Sequence, residues 1–146
     1  MRYLSILFIF LFLDFSSCLT GDNDNMNGCT DSNALNYDSG ATSDNNSCNY
    51  SKVAFFAQYG SYLSVPIIKI DITVDGQLIG SINNGAFWPS GPGNCSAAGT
   101  VPYQFNSSQS IDWNASIILA NGAVLLSSGV QSPSRFSECI RINVTN

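Results

Sequence analysis

The sequence predicts an all-β fold: an antiparallel β-sandwich, immunoglobulin-like or similar, with six or seven strands in residues 52–146. Short segments of this region alternate apolar and polar residues with a period of two, and Asp-Gly or Asn-Gly turn signals separate them. No stretch of helix length in the region keeps an apolar helical period. Short strands with a turn signal about every 8–12 residues are typical of a sandwich.

The first two predicted strands cover 52–59 and 68–74. The second has the clearest alternation, because Lys69, Asp71 and Thr73 separate four β-branched residues that share one face: Ile68, Ile70, Ile72 and Val74. Asp75-Gly76 then predicts a two-residue hairpin turn into a third strand at 77–82.

The remaining strands follow a loop at 83–99 that is rich in Gly, Pro and Asn. They are predicted at 100–105, 111–119, 123–130 and 138–144, with Asn121-Gly122 as a second hairpin signal. The alternation in 111–119 places Ile111, Trp113 and Ala115 on the core side.

Composition excludes several functional classes. The chain has 146 residues, which is the length of one domain or of one domain with a short appendage. Only 10% of the residues are charged, against about 25% in an average soluble domain. Its net charge of −5 argues against a nucleic-acid partner. There is no His, so the commonest general base is absent, and no motif links Asp112 to Glu138 as a catalytic carboxylate pair. We therefore expect a protein that is not an enzyme.

Residues 1–17 have the pattern of a secretory signal peptide: Arg2, then an apolar run at 4–13 that is too short to span a bilayer. The following Phe15-Ser16-Ser17-Cys18 resembles a bacterial lipobox, with Phe15 where Leu is usual. The resemblance implies that Cys18 carries a lipid and becomes the first residue of the mature chain. The alternative is an ordinary signal peptide that is cleaved near Ser17 or Cys18.

Five cysteines leave one thiol unpaired, which agrees with a lipid on Cys18. The other four allow three connectivities. We expect the within-region pairing, since it needs no interpenetration of the two regions: Cys29 with Cys48 in a polar segment, and Cys95 with Cys139 in the apolar one. Disulfides indicate an oxidising compartment outside the cytoplasm.

Residues 28–48 form a Cys-flanked motif within a stretch of Asn, Asp, Ser, Thr and Gly. Its sequence, GCTDSNALNYDSGATSDNNSC, closely resembles a repeat of secreted and surface proteins of Bacteroidota. The resemblance implies an extracellular module without implying an activity. The predicted organisation is therefore a signal peptide at 1–17, a linker at 18–27, a mini-module at 28–50 and a sandwich at 52–146.

The acidic residues of the mini-module suggest calcium, because hard cations prefer carboxylate and amide oxygens. EF-hand registers that begin at Asp22, Asn23 or Asp31 place an apolar residue at a ligand position. A different site formed by Asp31, Asp38 and Asp44 is one hypothesis, and solvated turn-forming side chains are the alternative.

Residues 66–145 are loosely similar to small β-sandwich domains of Bacteroidota lipoproteins, in which one Cys precedes a strand and a second lies on the last strand. Cys95, just before the strand at 100–105, and Cys139 have these positions. This resemblance implies fold and location, and no chemistry.

The loop at 83–99 carries Phe87-Trp88-Pro89, and aromatic residues on such a loop can stack on sugars or contact proteins. The alternative is that Trp88 folds back over the core. We therefore expect a non-catalytic cell-envelope lipoprotein, anchored in the outer membrane, that serves in structure, adhesion or docking. The alternative is a carbohydrate-binding lipoprotein that uses Phe87, Trp88 and Tyr103. In a eukaryotic or viral chain, Asn106 and Asn114 would be glycosylation acceptors.

Overall fold

The computed structural model describes residues 25–146, which contain no helix. The expected signal peptide, Cys18 and most of the linker lie outside the described residues. Ten strands follow one another: β1 Asn27–Gly28, β2 Ser43–Asp44, β3 Lys52–Phe56, β4 Ser61–Tyr62, β5 Val65–Val74, β6 Gln77–Asn83, β7 Val101–Gln104, β8 Ile111–Leu119, β9 Val124–Gln131 and β10 Cys139–Asn143. The predicted all-β class is confirmed.

The strands form three sheets. The mini-module contains the small parallel pair β1–β2, and the rest of the chain contains a three-stranded sheet in the order β10-β3-β7. In the five-stranded sheet, β4, β5, β8 and β9 lie in that order, and β6 also pairs with β5. Two sheets that pack face to face over a common core have the arrangement of a β-sandwich.

The antiparallel prediction is wrong at one place, because β10 runs parallel to β3. Hairpin signals determine strand direction only between neighbours in sequence, whereas β3 and β10 are the first and last strands of the sandwich. The other pairings of the two larger sheets are antiparallel.

The core lies between the two larger sheets and contains the expected residues of β8. Phe55 and Ile72 are fully buried, and the Trp113 ring meets the Phe55 ring with a centroid separation of 5.7 Å. The prediction that Trp113 is a core residue is confirmed. The alternation of β8 also buries Ile111, Ala115, Ile117 and Leu119.

The prediction that Ile68 shares one face of the strand with Ile70, Ile72 and Val74 is wrong. A register shift between Ile67 and Lys69 interrupts the pairing of β5 with β8, and such a bulge reverses the side chains before it. Ile67 is therefore 3% exposed and Ile68 44% exposed. The predicted Asp75-Gly76 turn is present, and both residues have positive φ, 50° and 79°, as a type I′ hairpin requires.

Candidate functional site

A disulfide between Cys29 and Cys48 closes the mini-module, as expected, with the two Cα atoms 4.9 Å apart. Cys29 is buried together with Ala34, so the module has a minimal core of its own. The parallel pair β1–β2 adds few backbone hydrogen bonds. So small a core needs a covalent link to stay ordered.

The three carboxylates considered for calcium are used in turns of the mini-module. Each accepts the backbone N–H of the residue two positions later at 2.9 Å, which is the geometry of an Asx turn: Asp31 from Asn33, Asp38 from Gly40 and Asp44 from Asn46. Within residues 25–146, no group of three or more His, Cys, Asp or Glu side chains is arranged to hold a metal ion. The structure does not bring Asp31, Asp38 and Asp44 together.

Tyr50, the last residue of the mini-module, links the module to the sandwich, because its side chain packs against the sandwich core. The Tyr50 hydroxyl donates to Asp31 Oδ2 at 2.7 Å. Two hydrogen bonds lower the pKa of Asp31, with the larger effect from the Asn33 N–H and the smaller from the Tyr50 hydroxyl. The same hydrogen bond, together with burial, raises the pKa of Tyr50 to about 12. A second contact between the mini-module and the sandwich places the guanidinium of Arg135 5.8 Å from the centroid of the Tyr37 ring.

This junction should depend on pH. The lowered pKa of Asp31 favours the folded state above the ordinary value of about 3.9, and this contribution disappears as the pH falls through the lowered value. The raised pKa of Tyr50 stabilises the folded state at pH values below about 10, and this stabilisation is lost as the pH rises through about 12. We expect Tyr50→Phe to lower the melting temperature between about pH 4 and pH 10, and to matter less outside that window.

An NMR titration of Asp31 checks this prediction. Its pKa should lie below the usual value in the native chain and rise in Tyr50→Phe, though not fully, because the bond from Asn33 remains. Tyr59→Phe is the matched control, since Tyr59 is 53% exposed. An Asp31 pKa that does not respond to Tyr50→Phe would contradict the account.

A cleft of about 600 Å³ lies between the mini-module and the sandwich, and Leu35, Lys52 and Glu138 are among its lining residues. Other polar groups of its wall are already hydrogen-bonded: the Tyr50 hydroxyl to Asp31, and Gln104 Nε2 to the Tyr50 carbonyl oxygen at 2.9 Å. This wall therefore holds the two modules together.

The second disulfide joins Cys95 to Cys139, as expected, with a Cα separation of 5.5 Å. It fixes the loop at 83–99 over the outer face of the β10-β3-β7 sheet, where Pro92 is fully buried and Phe56 is 7% exposed. Arg141 Nη2 also donates to the Gly93 carbonyl oxygen at 3.1 Å. The loop therefore covers the face of β3 that points away from the core, which explains why the four residues of β3 after Lys52 are all buried.

The structure places Phe87 and Trp88 against the protein. The Phe87 ring lies so close to Gly60 that a Cβ there would be 2.3 Å from it, and both aromatic residues are half-buried. The backbone N–H of Trp88 donates to the Ala57 carbonyl oxygen at 2.8 Å. Such packing limits the aromatic area that a sugar ring could cover.

Tyr103 lies away from these two residues. Its partner in the sheet is Val53, four residues before Ala57, which corresponds to about 13 Å along an extended chain. The Tyr103 ring packs edge-on against Phe105 with a centroid separation of 5.5 Å, and burial raises its pKa. The structure thus does not gather Phe87, Trp88 and Tyr103 into one surface.

The strand predicted at 123–130 is present as β9, but its place at the exposed edge of the sheet was not predicted. On its outer face, Val124, Leu126 and Val130 are 55%, 79% and 68% exposed. The strand pairs with β8 on one side and is the last of its sheet. The sequence signal was available, since VLLSSGVQ has no charged residue and no Pro in eight strand positions. Natural edge strands commonly carry such residues to prevent pairing with other chains.

No family model, curated protein or solved structure matches this chain. Between residues 25 and 146 there is no helix with the length and apolar composition needed to cross a bilayer.

Proposed function

We propose that the protein is a non-catalytic cell-envelope lipoprotein that docks through its β9 edge. In this proposal, residues 1–17 direct export, Cys18 carries the lipid anchor, and the sandwich is of the immunoglobulin-like kind. The two disulfides support a location outside the cytoplasm, because reducing systems keep cytosolic thiols from pairing.

The exposed edge of β9 is the observation that carries the docking proposal. Strand pairing leaves alternate N–H and C=O groups of an edge strand free for another strand. In the described residues, no backbone hydrogen bond from elsewhere in the protein reaches β9 on its free side. The apolar side chains beside these groups add area that is removed from water on contact. Main-chain hydrogen bonds with alternating side-chain contacts are the usual means of recognition at a sheet edge.

Site-specific photo-crosslinking in intact cells tests this proposal. A photoreactive residue at Leu126 should give a crosslinked adduct on irradiation, because this side chain lies at the exposed edge. The same residue at Asn121, an exposed position of the β8–β9 turn, is the matched control. Equal labelling at positions 121 and 126, or no adduct at 126, would contradict docking through β9.

A further inference from the structure

We propose that β9 pairs with β9 of a second copy of this chain, antiparallel about a two-fold axis that passes beside Ser127. The inference rests on the proposed role of β9 as the docking edge and names its occupant. An interface of this kind is self-complementary, so the same strand must supply both sides of every contact.

The side-chain order of β9 fits this symmetry. Residues directly opposite each other in a sheet point to the same face. Because side chains alternate between the faces along a strand, a two-fold pairing of β9 with itself joins even-numbered residues with even-numbered ones and odd-numbered with odd-numbered ones. Centred on Ser127, the pairing joins Val124 with Val130, Leu125 with Gly129, Leu126 with Ser128 and Ser127 with itself. Every Leu thus meets a small residue, and the β-branched residues meet each other.

Gly129 supplies the space that this register needs. It lies opposite Trp113 in β8, and a Cβ on Gly129 would be 3.0 Å from the Trp113 ring. In the paired register, Leu125 of the second copy lies beside Gly129 on the face of the sheet that Trp113 occupies, and symmetry repeats the contact.

Charge does not oppose a second copy at this strand. Two chains of net charge −5 repel each other, so they associate best through a neutral surface. β9 has no ionisable side chain, and Asp112, opposite Val130 in β8, is the nearest carboxylate in the sheet register. In the paired sheet, Asp112 lies opposite Val130, which lies opposite Val124 of the second copy, and that Val124 lies opposite its own Ile118. The paired row therefore brings no second carboxylate close to Asp112.

The length of β9 is sufficient for a specific contact. Its eight residues extend for about 27 Å, longer than the usual strand. The seven positions that this register pairs, 124–130, form about seven main-chain hydrogen bonds, which lies within the range of a typical protein interface.

Disulfide trapping in the cell envelope tests the register. With Ser127→Cys in the full chain, the two residues at the axis should have Cα atoms about 4.5–5.5 Å apart, within the range of a disulfide. Ser128→Cys is the matched control: its two copies would be diagonal neighbours about 7–8 Å apart, too far to bridge. Ser128 is also the more exposed of the two, so random collision would favour the control.

We expect Ser127→Cys to give about tenfold more covalent dimer than Ser128→Cys on mild oxidation, with peptide mapping that assigns the bond to residue 127 of both chains. Adding Leu126→Lys should remove the dimer, because charges on an edge strand oppose pairing. Leu126 is 79% exposed, so the Lys variant should retain the fold and the two native disulfides.

Equal trapping at positions 127 and 128, or persistence of the dimer with Lys at 126, would overturn the two-fold register. The photo-crosslinking result then separates the two proposals. An adduct of position 126 with a different protein would leave docking intact and exclude the second copy. No adduct at 126 and no dimer at 127 would reject both.

Discussion

Replacement of Cys95 and Cys139 by Ser is expected to reduce the free energy of unfolding by up to about 4 kcal/mol, on the loop-closure relation for the separation of 44 residues. The disulfide restricts the unfolded chain and, in the folded chain, keeps the loop at 83–99 over β3. Without it, Pro92 is no longer held against the sheet, and the side chain of Phe56 loses the loop that covers it. The loss is a large share of the roughly 5–15 kcal/mol that stabilises a domain.

Urea unfolding of the oxidised chain and of the double variant measures this loss. Replacement of Cys29 and Cys48 by Ser is the comparison, since that bond closes a separation of 19 residues and lies in the mini-module. It should leave the unfolding of the sandwich nearly unchanged. A change below about 1 kcal/mol for the Cys95 and Cys139 variant would show that the loop stays in place without the bond.

Cys18→Ser is expected to move the protein completely from the membrane fraction to the soluble fraction. The expected lipid provides the anchor, and stable attachment requires more than one acyl chain, all of which the variant lacks. Ser16→Ala is the matched control, because it keeps Cys18 and a small residue before it. Detergent-phase partitioning followed by immunodetection measures the change. Equal partitioning of the Cys18→Ser and Ser16→Ala chains would contradict a lipid on Cys18.

Local sequence patterns predicted most strands and both disulfides correctly. Alternation identified β8 from Ile111 to Leu119, because every second residue of that strand faces the core without interruption. The cysteines paired as expected because each pair lies within one compositional region. These features depend on residues close in sequence or on a single covalent choice.

Longer-range features could not be predicted from the same patterns. The bulge at Ile68 depends on the pairing of β5 with β8, and the parallel direction of β10 depends on its contact with β3. Loop composition left two positions open for Trp88, exposed or folded back, and in the structure this residue is half-buried. The free edge of β9 becomes visible only when the order of strands in the sheet is known.

That the chain works as a lipid-anchored module of the cell envelope is tested most directly by the mass of the N-terminal peptide of the mature protein. The account predicts a peptide that begins at Cys18 and carries the additional mass of a diacylglyceryl group. An unmodified thiol at Cys18, or a mature chain that begins after it, would contradict the account.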